Sequence, residues 1–253
     1  MNAVVVLEWS FSPPDYFEVP ISVDRDDYAM AIADGKVEAR IDAAIYDSDP
    51  TIRQRCHDAL ESRFLGAQLF GHKGYELSKS TMTRVHPDGR KDYFLEVESA
   101  HLVISGGEVD FRVTDKNGIL IADTKRDRIE RRKNLAELAS THGTTDALAV
   151  ALLRSYDAAV KDPNNELVHL YEIREGLAVR FGGATSACSA LGISSTSWSC
   201  LGQLCNNEPL RQGRHRGKSS GTLRDATEHE LAETRGIARA MIEAYLRHLD
   251  RGT

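Results

Sequence analysis

An arginine and a histidine lie close together in the segment LRDATEH, residues 223–229. Four residues separate Arg224 from His229, and Asp225 directly follows the arginine. A histidine titrates near neutral pH, so it can exchange protons with a ribose hydroxyl and with a leaving oxygen. An arginine offers a planar, permanently charged group to phosphate. We therefore interpret Arg224 and His229 as a candidate catalytic pair for phosphodiester cleavage, with the arginine on the scissile phosphate and the histidine as the proton carrier.

A helix start is predicted at the same place. Thr227 and Glu230 have the spacing of a capping box, in which each side chain accepts a hydrogen bond from the other residue's backbone N–H. His229 would then lie in the first turn of the helix, where the helix dipole favours an anion such as phosphate.

The most concentrated positive charge precedes this pair, in the segment RQGRHRGK, residues 211–218, which we call the basic loop. It contains no acid, and Gly213 and Gly217 allow its backbone to approach a phosphate closely. We predict that its charged and titratable side chains bind the backbone of a nucleic acid. These are Arg211, Arg214, His215, Arg216 and Lys218. The alternative is that its arginines pair with nearby acids of the protein itself, such as Asp225, Glu228 and Glu230.

The order of Arg224, the polar Asp225 and His229 resembles the arginine–polar–spacer–histidine signature of the HEPN superfamily. The resemblance covers only the C-terminal part of the chain. It implies a small helical-bundle domain that cleaves RNA without a metal ion and forms a homodimer to complete its site. It also implies a role of the kind that such domains have in bacterial toxin and phage-defence proteins.

A second pattern lies in the uncharged segment 184–203, which resembles a helix-turn-helix motif. Cys188 occupies the small-residue position and Gly192 the turn, while Trp198 and Leu201 are expected to be buried together with Leu191 and Ile193. The second helix of this pattern has no lysine or arginine to read DNA. The resemblance nevertheless leaves two alternatives to a ribonuclease. One is a non-enzymatic DNA-binding regulator that uses this segment and the basic loop, and the other is a protein-interaction module.

Metal-dependent chemistry has weaker support in the sequence. Asp110, Asp123 and Lys125 resemble the carboxylate–carboxylate–lysine pattern of metal-dependent nucleases, and strand alternation would place the last two on one face. Asp34-Gly35-Lys36 matches the short half of this pattern equally well. The four cysteines lack the paired spacing of a zinc site. We therefore predict neither a metal nor an organic cofactor.

The first half of the chain has the patterns of a β-sheet with one helix. Segments 4–9 and 36–45 are predicted as strands, and 75–98 and 108–123 as hairpins, the second turning at Asn117-Gly118. The helix begins near Pro50 and has one apolar stripe. This stripe consists of Ile52, Cys56, Leu60 and Phe64.

After residue 125 the apolar period becomes helical. Helices are predicted over 144–160 with a threonine cap, after Asn165 as far as Gly182, and from Thr227 onward. The fold class is therefore α+β, with a β-rich sensing or docking domain over 1–125 and an all-helical domain over 126–253.

Composition limits the classes of function. With a formal net charge of −6 over 253 residues, the chain is not a general nucleic-acid-coating protein, although a local basic site stays possible. The N-terminus lacks the pattern of a signal peptide, and no apolar run approaches the ~18 residues of a membrane span. We expect a cytoplasmic protein whose partners are RNA or DNA and a second copy of itself.

Overall fold

The computed structural model of the chain describes residues 3–94, 112–114, 120–219 and 221–252. Strands dominate the N-terminal part and helices the C-terminal part, which confirms the α+β class. The strands pair antiparallel, and most connections between neighbouring strands are short.

The main sheet has the strand order β2-β3-β4-β1-β6-β7, and β5 pairs with the end of β1. In chain order its strands are β1 Val4–Ser12, β2 Ile21–Asp24, β3 Ala29–Ala33, β4 Lys36–Asp42, β5 Glu76–Leu77, β6 Thr81–Val85 and β7 Lys91–Phe94. Strand β1 lies at the centre, where Leu7 pairs with Ala39 on one side and with Met82 on the other. Alternate residues of β4 are buried, as the period of two in the sequence predicts.

The strand predicted over 36–45 ends earlier, at Asp42. The Asp42 side chain accepts a hydrogen bond from the Ala44 backbone N–H at 2.8 Å, so it caps a short helix, α1 Ala43–Ser48. Ala43 and Ile45 are therefore helical, and the β-rich part has this helix in addition to the predicted one. That predicted helix is α2 Ile52–Gly71, and its apolar stripe is buried as expected.

The first predicted hairpin is confirmed over 81–94, where β6 and β7 pair across a turn at His86–Arg90. Glu76 and Leu77 of the predicted first strand pair with β1 instead, and residues 95–98 lie outside the described ones. In the second, β8 Arg112–Thr114 pairs with β9 Leu120–Asp123, while its expected turn at Asn117-Gly118 lies outside the described residues. Helix α3 Thr124–His142 follows β9 directly.

Four further helices lead to the C-terminal helix. They are α4 Ala147–Lys161, α5 Glu166–Phe181, α6 Ala184–Leu191 and α7 Ser195–Gly202, and the last is α8 Glu228–Asp250. Helix α5 contacts α4, α6, α7 and α8, so its apolar residues, such as Leu170 and Ile173, lie at the centre of the helical core. The cap of α4 is Asp146 and not the predicted threonine, because the Asp146 carboxylate accepts the Ala149 backbone N–H at 2.7 Å.

The chain divides into two compact units. Unit 1 comprises 1–61 and 75–133, and unit 2 comprises 62–74 and 134–253. Helices α2 and α3 thus supply residues to both units. The domains 1–125 and 126–253 were predicted as parts that fold independently. A division by contacts does not measure folding, so these domains stay a prediction. Among the described residues no helix is long and apolar enough to cross a membrane.

Two glycines give a matched test of helix packing in unit 2. A Cβ added to Gly66 in α2 would lie 2.5 Å from the Ala139 Cβ and 2.6 Å from the Leu135 carbonyl oxygen of α3. A Cβ at Gly236 in α8 would meet no atom within 4 Å. We expect Gly66→Ala to lower the free energy of unfolding by about 1–3 kcal/mol, because the helices must separate.

Gly236→Ala should instead raise the free energy of unfolding by up to about 1 kcal/mol, because alanine is the better helix former. Urea unfolding of both variants and the parent chain measures the difference. A gain of stability in Gly66→Ala would contradict the close approach of α2 and α3.

Candidate nucleic-acid interface

The basic loop is attached to the segment that precedes α8. The Arg211 N–H donates to the Arg224 carbonyl oxygen at 2.9 Å, and the Arg224 N–H donates to the Pro209 carbonyl oxygen at 3.0 Å. The Ala226 N–H donates to the Gln212 side-chain oxygen at 3.1 Å. The first residues of the basic loop therefore lie beside the residues that begin α8.

The predicted capping box at the start of α8 is confirmed. The Thr227 hydroxyl accepts from the Glu230 N–H at 3.3 Å, and the Glu230 carboxylate accepts from the Thr227 N–H at 2.8 Å. His229 lies in the first helical turn with its side chain exposed. It therefore has the position predicted from the sequence, at the positive end of the helix dipole.

Arg224 makes its closest side-chain contacts with Glu230 and not with His229. Its Nη1 and Nη2 atoms donate to the two carboxylate oxygens of Glu230 at 2.8 and 2.6 Å. The Arg224 guanidinium, with help from Thr227, lowers the pKa of Glu230 to about 2. Glu230 thus neutralises the arginine locally. The catalytic pairing of Arg224 with His229 stays a prediction, and it requires Arg224 to bind phosphate beside or in place of this carboxylate.

Two arginines of the basic loop bind other parts of unit 2. Arg214 Nη1 donates to Glu175 at 2.8 Å, and its guanidinium carbon lies 4.4 Å from the centre of the Tyr171 ring. Arg216 Nε donates to the Gly213 carbonyl oxygen at 2.9 Å, and its Nη2 donates to Asn165. These contacts fix the loop against α5 and its preceding turn. Arg214 thus has an intramolecular acid as its partner, although Glu175 is not one of the nearby acids expected, and Arg216 contacts a carbonyl and an amide instead of an acid.

Three other side chains of the basic loop face solvent. Arg211, His215 and Lys218 are exposed, and Arg211 has only a loose ion pair with Asp225, at 3.7 Å. Within the described residues, His215 and Lys218 take part in no ion pair. An exposed cation without a close partner is available to phosphate. The predicted binding set therefore separates into two residues that fix the loop and three that can face a ligand.

The helix-turn-helix-like segment forms two short helices, α6 and α7, joined at Gly192, which has a left-handed φ of 66°. Leu191, Trp198 and Leu201 are buried as predicted, whereas Ile193 is only half-buried. The buried small residue of α6 is Ala187 and not Cys188.

Arg174 of α5 holds the second of these helices. Its Nε donates to the Trp198 carbonyl oxygen at 3.2 Å, and its guanidinium carbon lies 5.2 Å from the centre of the Trp198 ring. The exposed residues of α7 include Ser195, Thr196 and Ser199, which carry no charge. The segment therefore offers no cation to a DNA backbone.

The described residues do not assemble the metal-nuclease pattern. Asp110 lies outside them, β9 ends at Asp123, and Lys125 is an exposed residue of α3 and not of a strand. The Asp123 carboxylate accepts the Arg126 N–H at 3.0 Å, so it caps the helix. No group of three or more His, Cys, Asp or Glu in the described part of the chain could hold a metal ion. Burial raises the pKa values of Cys56 and Cys205 to about 12, which makes both thiols poor ligands.

A buried polar cluster in unit 2 was not predicted from the sequence. The Glu166 carboxylate, 1% exposed, accepts from Arg235 Nε and Nη2 at 2.6 and 2.9 Å. His72 Nε2 lies 3.7 Å from Glu166, and His72 Nδ1 lies 3.4 Å from the Tyr156 hydroxyl. Burial lowers the pKa of His72 and raises that of Tyr156 to about 12. No local sequence pattern pairs Glu166 with Arg235, because the two residues lie 69 positions apart.

Comparison with known proteins finds no matching family model, no curated protein of significant similarity and no solved structure of significant similarity. The resemblance of the C-terminal part to the HEPN superfamily therefore stays a prediction.

The Arg224–Glu230 ion pair predicts a pH dependence. The pKa of Glu230 lies near 2 in the folded protein, below its ordinary value of 4.5. The ion pair therefore stabilises the folded state above about pH 4.5, and this contribution is lost as the pH falls toward 2. We expect Arg224→Gln to raise the pKa of Glu230, measured from its carboxyl ¹³C shift, and to make the melting temperature fall less between these pH values.

Lys218→Gln is the matched control, since it removes an exposed cation of the adjacent loop that makes no ion pair within the described residues. It should leave the pKa of Glu230 where it is. An equal rise in both variants would mean that general loop charge, and not the Arg224 contact, lowers this pKa.

Proposed function

We propose that the protein binds RNA on the surface formed by the basic loop and the first turn of α8, and that it cleaves the RNA there without a metal ion. The observation that carries this proposal is the backbone pairing of Arg211 with Arg224. It supports a shared surface for the exposed cations of the loop and the exposed His229.

Charge at this surface favours a phosphate ligand. Glu228 and Glu230 of the first helical turn are paired with Arg235 and Arg224, at 2.8 and 2.6 Å. Their negative charges are thereby offset inside unit 2, while Arg211 and Lys218 stay exposed. The N-terminal end of α8 adds partial positive charge. The proposed contacts to phosphate are therefore Arg211 and Lys218, with His215 as a third donor.

The proposed reaction is an internal transfer at phosphorus. The 2′-oxygen of the ribose bonds to phosphorus as its proton is removed, the bond from phosphorus to the 5′-oxygen breaks, and that oxygen takes a proton. His229 accepts the proton of the 2′-hydroxyl and then supplies it to the 5′-oxygen, and a cation, Arg224 or Arg211, stabilises the charge on the phosphate. No oxidant, cofactor or metal is needed for this balance.

The proposed assembly is a homodimer in a toxin or phage-defence setting, on the basis of the HEPN resemblance. The second copy would complete the site, and the β-rich part would sense or dock a trigger. The cytoplasm fits four cysteines that form no disulfide among the described residues. Duplex DNA binding is the main alternative, and the experiments below distinguish the two.

Removing the exposed cations should change the salt dependence of binding. For a fluorescent single-stranded RNA, we expect Arg211→Gln and Lys218→Gln each to weaken binding and to reduce the slope of log affinity against log salt by about 0.7. Lys36→Gln, an exposed cation of β4, is the matched control and should leave the slope unchanged. Equal slopes in all variants would contradict the proposal that Arg211 and Lys218 contact phosphates. Tighter binding to duplex DNA than to RNA would favour the alternative, a DNA-binding regulator.

Removing the proton carrier should abolish cleavage without unfolding the chain. We expect His229→Ala to slow RNA cleavage about 10²–10⁴-fold, because general acid–base catalysis is worth about that much. Circular dichroism controls for folding, and excess chelator should have no effect.

His215→Ala is the matched control for an exposed histidine of the same region. It should weaken RNA binding and leave the cleavage rate of bound RNA within about threefold, since binding and the chemical step are separable. Unchanged cleavage in His229→Ala would contradict the proposed role, and a large loss in His215→Ala alone would assign the proton transfer to that residue.

A further inference from the structure

A cavity in unit 1 lies between the chain segment that leads into β2 and the first half of α3. The space within it, including the part that is open to solvent, is about 260 Å³. Its walls are formed by Phe17, Glu18, Val19, Ile21, Ile129, Arg132 and Lys133. This unit contains none of the residues proposed above for RNA cleavage, so the cavity is not part of the proposed cleavage site.

The body of the cavity is apolar. Phe17, Val19, Ile21 and Ile129 supply carbon surface, and Val19 is 36% exposed although it is a large hydrophobic residue. Such exposure is unfavourable in water, and an apolar ligand group that covers the wall would relieve it.

The polar part of the wall is cationic. Glu18 is paired with Arg128 and lies 3.5 Å from Arg132 Nη1, and it is the single acid beside two cations, Arg132 and Lys133, among the residues that line the cavity. Lys133 is exposed and takes part in no ion pair within the described residues. The cavity therefore has an excess of positive charge at one side, which favours an anionic group there.

Arg132 is held in place and is incompletely satisfied. Its guanidinium carbon lies 5.1 Å from the centre of the Tyr16 ring, and its side chain is 12% exposed. Its Nε is buried and has no hydrogen-bond acceptor in the described part of the chain. A buried donor without an acceptor is unfavourable, so an acceptor brought by a ligand would be favoured here.

We propose that this cavity binds a small organic anion with an apolar body, whose carboxylate, phosphate or sulfonate group pairs with Arg132 and Lys133. The apolar body lies against Val19, Ile21 and Ile129. Such a ligand matches both halves of the wall, whereas a neutral hydrocarbon leaves the cations unpaired and a free inorganic anion leaves the apolar wall exposed. The proposal is independent of RNA cleavage, and either can fail alone.

The test is a fluorescence titration of the full chain with anilinonaphthalene sulfonate, which has an aromatic body and one negative charge. We expect one saturable site. Lys133→Gln should weaken binding about tenfold and Arg132→Gln at least as much, since each removes a charge-assisted contact. Arg132→Lys should recover part of the loss because it restores the charge. The neutral analogue phenylnaphthylamine should bind all of these variants equally.

Control variants separate the cavity from general charge and from unfolding. Lys125→Gln removes a cation of the same helix that does not line the cavity, and it should leave binding unchanged. Val19→Asp places a carboxylate on the exposed apolar wall and should abolish binding of both probes while the thermal melt stays cooperative. Competition by octanoate and by octyl phosphate, compared with octanol, identifies the preferred head group.

Two results would overturn the proposal. One is unsaturable probe binding, or binding of equal strength in Lys133→Gln, Arg132→Gln and the parent chain. The other is equal competition by octanol and octanoate, which would show that the cations do not contribute.

Discussion

The buried ion pair between Glu166 and Arg235 fixes the arrangement on which the candidate interface depends. An isolated buried carboxylate is costly, so Glu166 needs both nitrogens that Arg235 donates to it. Glu166 begins α5, and Arg235 belongs to α8. The same arginine also donates to Glu228, the first residue of α8, at 2.8 Å. One guanidinium thus attaches the exposed first turn of α8, which carries His229, to the buried start of α5. Loss of Arg235 would leave the buried Glu166 carboxylate without its cation and would free the helix start.

Ion pairing also decides which charges unit 2 presents to a ligand. Arg214 and Arg216 anchor the basic loop, and Arg224 offsets Glu230. The cations left exposed, Arg211 and Lys218, have at most a loose partner within the described residues. In the sequence, the five charged and titratable side chains of the basic loop look equivalent. In the structure they form two groups, one that anchors the loop and one that stays exposed to a ligand. The anchoring group gives the loop one conformation, and a loop already ordered loses less entropy when a phosphate binds.

Local patterns in the sequence predicted those elements whose cause is local. The capping box of Thr227 and Glu230, the apolar stripe of α2 and the hairpin of β6 and β7 each depend on neighbouring residues, and all three are present. The strand over 36–45 was predicted too long, because the capping carboxylate of Asp42 competes with the apolar alternation. The polar cluster could not be predicted, since Glu166 and Arg235 are far apart in sequence and local periodicity does not choose among arginines. The same holds for the partner of Arg214, 39 residues away, and for the cavity at Arg132.

The two candidate sites lie in different units, yet α3 contributes to both units. Arg132 and Lys133 line the cavity of unit 1, while Leu135, Ala136 and Ala139 of the same helix are buried in unit 2. A continuous helix does not by itself couple two sites. A ligand in the cavity alters RNA binding only if its affinity differs between two states of the chain that also differ in their affinity for RNA. Coupling would then be reciprocal, so RNA would change the affinity of the organic anion by the same factor. If the anion binds with equal affinity in the presence and absence of RNA, the cavity has a function separate from RNA binding.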